Sequence, residues 1–409
     1  MKKRIVLVSS GQPSANPRLV KEAILLSQSG YDVTVIYCPL SPWADDFDTV
    51  LMNSYPQIKW IAAGSHSGKN RAGYLYARLR QKWYHTLFKL GFRGAGVAVK
   101  SKVLFSQELE KEAVRTNAHF YIGHNLGSLP AVVKAASVNG GKASFDFEDY
   151  HRGESDANEL ETEKTVNIEN RYVPRLSFAT AASPLICETY SNLFPAVQFL
   201  TINNCFPKGY IENEIQDLHE STLKLFWFSQ TVGKNRGLET IIEAMGKVQS
   251  PVVFTLLGNC SQEMKIYLLN LAQQSNVTAE QLRFVNPVAE KEIVSIGAMH
   301  HIGMASEVPH ILNRELCLTN KIFIYLLSGN AIVASSTQAQ KKFLNEHEGI
   351  GMTYPCNDSD ALAAILNHYT SNRELLSNHR SASLRLGMER FNWETEGTYL
   401  LQQLEKVIQ

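Results

Sequence analysis

Residues 313–336 read NRELCLTNKIFIYLLSGNAIVASS. A polar head leads into an apolar run of helical character, a glycine interrupts it, and the small and β-branched run NAIVASS follows. A strand without polar alternation is covered on both faces, so helix, glycine and strand together predict one unit of a parallel α/β sheet. Runs of the same kind recur upstream: RIVLVSS (4–10), DVTVIYC (32–38), IKWIAA (58–63), HFYIGHN (119–125), ASFDFED (143–149), FATAAS (178–183) and FLTINN (199–204). A second series is LKLFWFS (223–229), PVVFTLLGN (251–259), LRFVN (282–286), HIGMA (301–305), NAIVASS (330–336) and GIGMTY (349–354). Amphipathic stretches separate them. PRLVKEAILLSQSG (17–30) has Pro17 where a first helical position tolerates it and Gly30 where a helix ends.

A chain of 409 residues exceeds what one core usually serves. The polar segment PKGYIENEIQDLHEST (207–222) marks the expected linker between two doubly wound α/β domains, 1–206 and 223–390, and the helical residues 391–409 close the chain. Ligands of such sheets sit beyond the carboxyl ends of the strands, and two facing domains predict a site in the cleft between them. Hydrophobic residues are 44% and charged residues 19%, as in a soluble globular protein, and a net charge of +1 excludes a chain that binds polyanions as a whole. Six scattered cysteines contain no CxxC and no Cys/His cluster, which excludes a structural zinc site and suits reduced thiols in the cytoplasm. The basic, apolar start MKKRIVLVSSGQ is too short in its apolar part for a signal peptide and reads as a first strand.

Four places carry polar chemistry. The loop SSGQPSANPR (9–18), containing Gly11 and Asn16, opens a helix and serves equally as a plain turn or as a ligand loop. IGHNLGSLPA (122–131) puts His124 and Asn125 at a strand end, where a histidine is either ligand-facing or structural. DFEDYHRGE (146–154) crowds Asp146, Glu148, Asp149, His151, Arg152 and Glu154 past the next strand, as acid/base groups or as a salt-bridged loop. WFSQTVGKNRGLETIIEAMG (227–246) is the most specific: Gly233, Lys234, Arg236 and Gly237 lie between a strand expected to end at Ser229 and a helix. Glycines admit a phosphate close to the backbone, and the helix N-terminus and cations stabilise its charge.

Residues 49–107 contain no Asp or Glu, and within them the segment 65–105 interleaves cations with YLY, KWYHTLF and GF. That combination suits an anionic lipid surface or a phosphate-bearing acceptor; a solvated helical insertion is the alternative. Nucleic acid would answer to the same charges, but no nucleic-acid motif accompanies them.

Nearly the whole chain resembles the retaining glycosyltransferase family numbered 4, of the GT-B fold. GHNLGSLPA is similar to its His-Asp-x-x-x-Leu-Pro stretch, with Asn125 in place of Asp, and FDFEDYHRGE to its Tyr-Asp-Ala-His-Glu segment. TNKIFIYLLSGNAIVAS resembles its Pro-Asn-Lys-Leu-Phe-Glu-Tyr run, with Ile324 on the Glu that binds ribose and Leu316 on the Glu eight positions earlier. FNWETEGTYLLQQL looks like its terminal helix, which returns to the first domain. The resemblance implies catalytic roles for His124 at the donor sugar and Arg236 at the diphosphate. Gln230 stands where the family has an Arg. The donor would also meet Gly233, Lys234, Asn313, Arg314, Glu315, Asn320 and Lys321, and the acceptor side would be Gly11, Asn16, Asn125, Asp146, Glu148 and Asp149. The implied function is transfer of a sugar from a nucleotide diphosphate sugar to a saccharide or lipid-linked saccharide in the cytoplasm, at the inner face of a membrane. No cofactor and no metal are expected, because no DxD-type pair sits at a strand end of the second domain. A non-catalytic sugar-nucleotide-binding subunit, or an epimerase or hydrolase on the same fold, are the alternatives.

Overall fold

A computed structural model describes residues 2–155, 158–211 and 221–408. Two compact units are present: residues 1–202 with 311–313 and 397–409, and residues 203–310 with 314–396. Most of the segment expected as a linker, 212–220, lies outside the described residues.

The first unit is built on a parallel sheet of seven strands: β1 (Arg4–Ser9), β2 (Asp32–Tyr37), β3 (Lys59–Ala62), β4 (Phe120–His124), β5 (Lys142–Phe147), β6 (Phe178–Ala181) and β7 (Phe199–Thr201). Their order is β3-β2-β1-β4-β5-β6-β7. β1 is central, with Ile5 in register with Val33 on one side and Phe120 on the other. The helix Pro17–Gln28 turns Leu19, Ala23 and Leu26 onto β1, where they share a core with Ile5, Leu7 and Val33. Asn16 caps that helix by accepting from the Leu19 N–H, and Gly30, at φ +90°, ends it, as the sequence predicts. Leu404 of the terminal helix Trp393–Ile408 lies in the same core.

The second unit repeats the plan with six parallel strands: β8 (Leu223–Thr231), β9 (Val252–Asn259), β10 (Leu282–Val285), β11 (Ile302–Ala305), β12 (Ala331–Ser335) and β13 (Gly351–Tyr354), in the order β10-β9-β8-β11-β12-β13. Each sheet therefore reverses its winding once, between β1 and β4 and between β8 and β11, and those are the places where such sheets take ligands.

Thirteen strands are expected and thirteen are found among the described residues, with ends that move by a few residues. The one shift that matters is in β8, which continues past Ser229 to Thr231 through an irregular register after Phe228. Gly258 on β9 permits it. A β-carbon there would stand 2.3 Å from the Ser229 carbonyl oxygen, so only glycine lets the strand bulge toward its neighbour.

The stretch 313–336 forms a fully buried helix, Lys321–Leu327, followed by β12. The helix packs closely on β11 because residue 303 has no side chain: a β-carbon at Gly303 would lie 2.2 Å from the Tyr325 ring. Tyr325 in turn donates its hydroxyl to the Met304 carbonyl, 3.0 Å away. Gly303→Ala overpacks this contact and should cost about 1–3 kcal/mol. Thermal unfolding followed by near-UV circular dichroism will show it as a lowered transition for the second unit.

Candidate functional site

In the first unit the winding reversal brings Ser9 and His124 side by side in register. Beyond them the chain turns at Asn125, whose φ of +62° and ψ of +138° lie outside the left-handed helical region and are uncommon for a residue with a side chain. The Asn125 Oδ1 accepts from Ser9 Oγ (2.9 Å) and from Asn16 Nδ2 (3.2 Å), so one amide ties the ends of β1 and β4 to the helix that follows β1. Gly11 approaches this turn closely; a β-carbon there would lie 3.5 Å from the Asn125 oxygen.

Below the turn lies a cluster of buried charges. Arg18 donates from Nε and Nη2 to the two oxygens of Asp146, at 2.8 and 2.6 Å, and from Nη1 to the Ile202 carbonyl. Thr180 Oγ1 also donates to Asp146. His124 is 1% exposed, with Nε2 at 2.8 Å from Glu22 Oε2 and Nδ1 at 3.6 Å from Asp146 Oδ2. Burial opposes ionisation of His124, but Glu22 and Asp146 outweigh it and raise its pKa. Burial also works against charge on Asp146, yet the Arg18 guanidinium holds it below the usual carboxylate range. Glu148 goes the other way: burial, with Asp149 and Asp146 adding to it, raises it despite Arg18.

Glu148 and Asp149 face a cleft of about 510 Å³, with Ser10, Asn125 and Gly127 at its floor and Glu154 beside them. Tyr74, Arg78 and Gln81, on the helix Arg71–Lys89, also line it. His151 lines it too; its Nδ1 is 3.0 Å from Glu154, and its Nε2 is buried without a partner. Asp149 Oδ1 accepts from Asn313 Nδ2 (2.8 Å), and Asn313 Oδ1 accepts from the Tyr150 N–H (2.8 Å). Asn313 thus belongs to the first unit's loop. Arg152 pairs with the fully buried Glu169, which also accepts from Tyr190. A second depression of about 560 Å³ involves Arg4, Asp32 and His119, at the amino ends of the strands, the wrong edge for a ligand of this sheet.

In the second unit, β8 leads through Gly233, Lys234, Asn235 and Arg236 to Gly237 and the helix Leu238–Met245. Asn235 and Gly237 have φ of +59° and +71°. Gly237 is required by space as well, since a β-carbon would meet Ser306 at 2.9 Å. Ser306 Oγ donates to the Arg236 carbonyl (2.8 Å), fastening this loop to the end of β11. The next residue, Glu307, is buried and receives Lys321 Nζ at 2.7 Å and Arg314 Nη1 at 3.4 Å. Burial opposes its ionisation, but Lys321, Arg314 and Arg236 overcome this and lower its pKa. Two cations thus meet one carboxylate directly, and Arg236 acts on it from the adjoining loop. Gln230 and Lys234 are exposed, and Lys234 lies over the Tyr267 ring at 4.7 Å. Asn320 is exposed ahead of the helix Lys321–Leu327. Glu315 accepts from the Gln338 N–H (2.8 Å), and Ile324 is fully buried. Glu307 is the member that reading from residue to residue passes over. It lies out of register with the family's acidic pair, and only its position directly after β11 marks it.

No family model matches the chain, and no curated protein does. Solved structures match along almost its entire length. HepE from Anabaena, in complex with UDP and glucose, is 15% identical with a TM-score of 0.70, over 99% of this chain and 100% of that one. The sucrose-phosphate synthase of Thermosynechococcus elongatus is 14% identical with a TM-score of 0.72, over 99% of each chain. A variant of TarM from S. aureus, in complex with fondaparinux, α-GlcNAc-glycerol and UDP, is 10% identical with a TM-score of 0.66, again over 99% of each. Likeness at such identities is likeness of fold, and the fold is GT-B.

The buried charges of the first unit set two expectations. Arg18→Met leaves Asp146 charged and unpaired, and should destabilise the protein by about 3–5 kcal/mol in denaturant titrations. The raised His124 pKa contributes stability that is complete below about pH 6.5 and is lost as pH rises through the folded-state value. His124→Gln should flatten the alkaline side of a plot of melting temperature against pH. The lowered Asp146 contributes above the ordinary carboxylate range and is lost only at acid pH.

Proposed function

We propose that the chain is a glycosyltransferase that moves a sugar from a nucleotide diphosphate sugar to a saccharide or lipid-linked saccharide acceptor. The observation that carries this reading is the pairing of Arg314 and Lys321 with the single carboxylate of Glu307, beside the glycine loop that carries Arg236 and at the winding reversal of the second sheet. Three cations against one carboxylate leave net positive charge where a diphosphate is to be held. Two proteins of like fold were captured with UDP, which supports the same class of donor. The first unit's cleft, with Glu148, Asp149 and Glu154 as acceptors of hydroxyl hydrogens and Tyr74 as an apolar wall, suits a polyhydroxylated acceptor.

In the reaction, the acceptor hydroxyl oxygen bonds to the anomeric carbon while the bond from that carbon to the diphosphate oxygen breaks. The bonding pair stays with the diphosphate, which takes up the hydroxyl proton. Arg236 and Lys321 stabilise the charge that grows on the departing phosphate, and Glu307 keeps Lys321 in place. No metal or cofactor has a role in this scheme. Retention of anomeric configuration is drawn from the family resemblance alone. The ribose is held without a carboxylate at position 324.

Arg236→Ala should weaken nucleoside diphosphate binding about tenfold to a hundredfold, the value of a charged hydrogen bond of about 1.5–3 kcal/mol. Isothermal titration calorimetry with UDP and GDP measures it, and an unchanged affinity removes the phosphate assignment. Glu148→Gln with Asp149→Asn should raise the acceptor KM and leave nucleotide affinity intact. Nucleotide release that is independent of added acceptor would favour a hydrolase, and binding without turnover a non-catalytic subunit.

A further inference from the structure

The helix Arg71–Lys89 is amphipathic, but its apolar stripe faces outward. Ala77 and Phe88 are its fully buried members. At the expected periodicity of 3.6 residues, Leu75, Leu79 and Trp83 fall on the opposite side, with Tyr76 next to them. These four are between 52% and 67% exposed, and Leu90 and Phe92, just beyond the helix, are 71% and 60% exposed. A hydrophobic stripe on a helix ordinarily covers a core. This one is left in water from Leu75 to Trp83, about two and a half turns, in a cation-rich segment.

The charged residues on the helix itself have one sign, and the acids Glu108 and Glu163 beside it are paired with Arg80 and Arg93. Arg71, Arg78, Lys82 and Lys89 are exposed on the same helix, and no Asp or Glu occurs anywhere in 49–107. Arg80 is different: its guanidinium donates to both oxygens of Glu108 and to the Leu104 carbonyl, so it clamps the helix to the unit and does not face outward. Lys164, itself buried, reaches His85 Nδ1 at 2.8 Å and holds the helix from the other side. A helix so clamped presents its apolar stripe as a rigid surface. Another exposed apolar group, Trp43, Phe47 and Val50, borders Asp45 and Asp46 and has the opposite charge character.

We propose that the outward face of the helix Arg71–Lys89, continued by Leu90 and Phe92, docks into the surface of an anionic lipid bilayer. Leu75, Leu79 and Trp83 enter the acyl boundary, and Lys82 and Lys89 meet lipid phosphates. No helix among the described residues is long and apolar enough to cross a membrane, so docking is peripheral. The inner side of the same helix supplies Tyr74, Arg78 and Gln81 to the cleft. One helix therefore touches lipid on one side and lines the acceptor cleft on the other. A lipid-linked acceptor would pass from bilayer to cleft around this single element. That last consequence rests on the proposed transferase activity; the docking itself does not.

Co-sedimentation with vesicles of phosphatidylcholine, alone or mixed with phosphatidylglycerol, tests docking without any donor or acceptor. Partition should be at least about tenfold greater on the anionic vesicles and should fall as salt is raised. Lys82→Ala with Lys89→Ala should reduce it about 30-fold, at about 1 kcal/mol per cation. Leu75→Asp, Leu79→Asp and Trp83→Asp together should abolish it, with circular dichroism and the nucleotide thermal shift unchanged as controls for folding. Equal binding to both lipids, or a triple variant that still sediments, overturns the proposal. So does a concentration-dependent dimer in light scattering that the triple variant abolishes while vesicles remain unbound, because the face then joins two copies of the chain. Vesicle binding that survives while transfer activity proves absent separates failure of the transferase reading from failure of docking.

Discussion

Arg18 and Asp146, both almost fully buried, face each other through two hydrogen bonds of 2.6 and 2.8 Å beneath the carboxyl edge of the first sheet. Burying either charge alone would cost several kcal/mol, so each is stable there only because the other is present. The pair joins the first turn of the helix Pro17–Gln28 to the end of β5, and Thr180 and the Ile202 carbonyl bring β6 and the chain after β7 to the same point. His124 and Glu22 complete the charge set. With those ends fixed, the loop that begins at Ser10, the Asn125 turn and the Glu148–Asp149 segment have little freedom left, and Ser10, Asn125, Glu148 and Asp149 line the cleft. The geometry of this cleft is thus an electrostatic consequence of what lies under it.

Much of the fold was legible in the residues themselves. Every strand appeared as an apolar run, because strands covered on both faces show their burial directly in composition. The β8 extension was not legible, because it depends on the absence of a side chain at Gly258 on a different strand. The charged core was hidden for a related reason. Arg18, Glu22, Lys164 and Glu169 look like solvated helix faces in a local pattern, and only contacts made far along the chain reveal that they are buried. Arg80 likewise reads as one surface cation among ten until Glu108 is seen to hold it.

The second unit shows the same division. The glycine loop and its cations were visible as a pattern, and the structure fastens that loop to β11 through Ser306. The stretch NREL was expected to act as a group, but its members are dispersed. Asn313 bonds to the Tyr150 loop, Glu315 caps the helix after β12, and Arg314 turns to Glu307. A sequence places residues next to one another along the chain; hydrogen-bond demand at three separate backbone and side-chain sites decides where each goes.

The second unit begins and ends at one clamp. Asn203, its first residue, donates from its backbone and side chain to Glu396, its last, and Arg390 pairs with the same carboxylate. Topologically, the unit is a long excursion whose two ends are pinned together, interrupted where residues 311–313 return to the first unit. Such an excursion resembles an inserted domain, and its termini are close enough to be joined by a short linker. For the complete chain, the same clamp means that the segments at Asn203 and Glu396 cannot loosen independently, because a change at either one breaks or keeps the hydrogen bonds of the other.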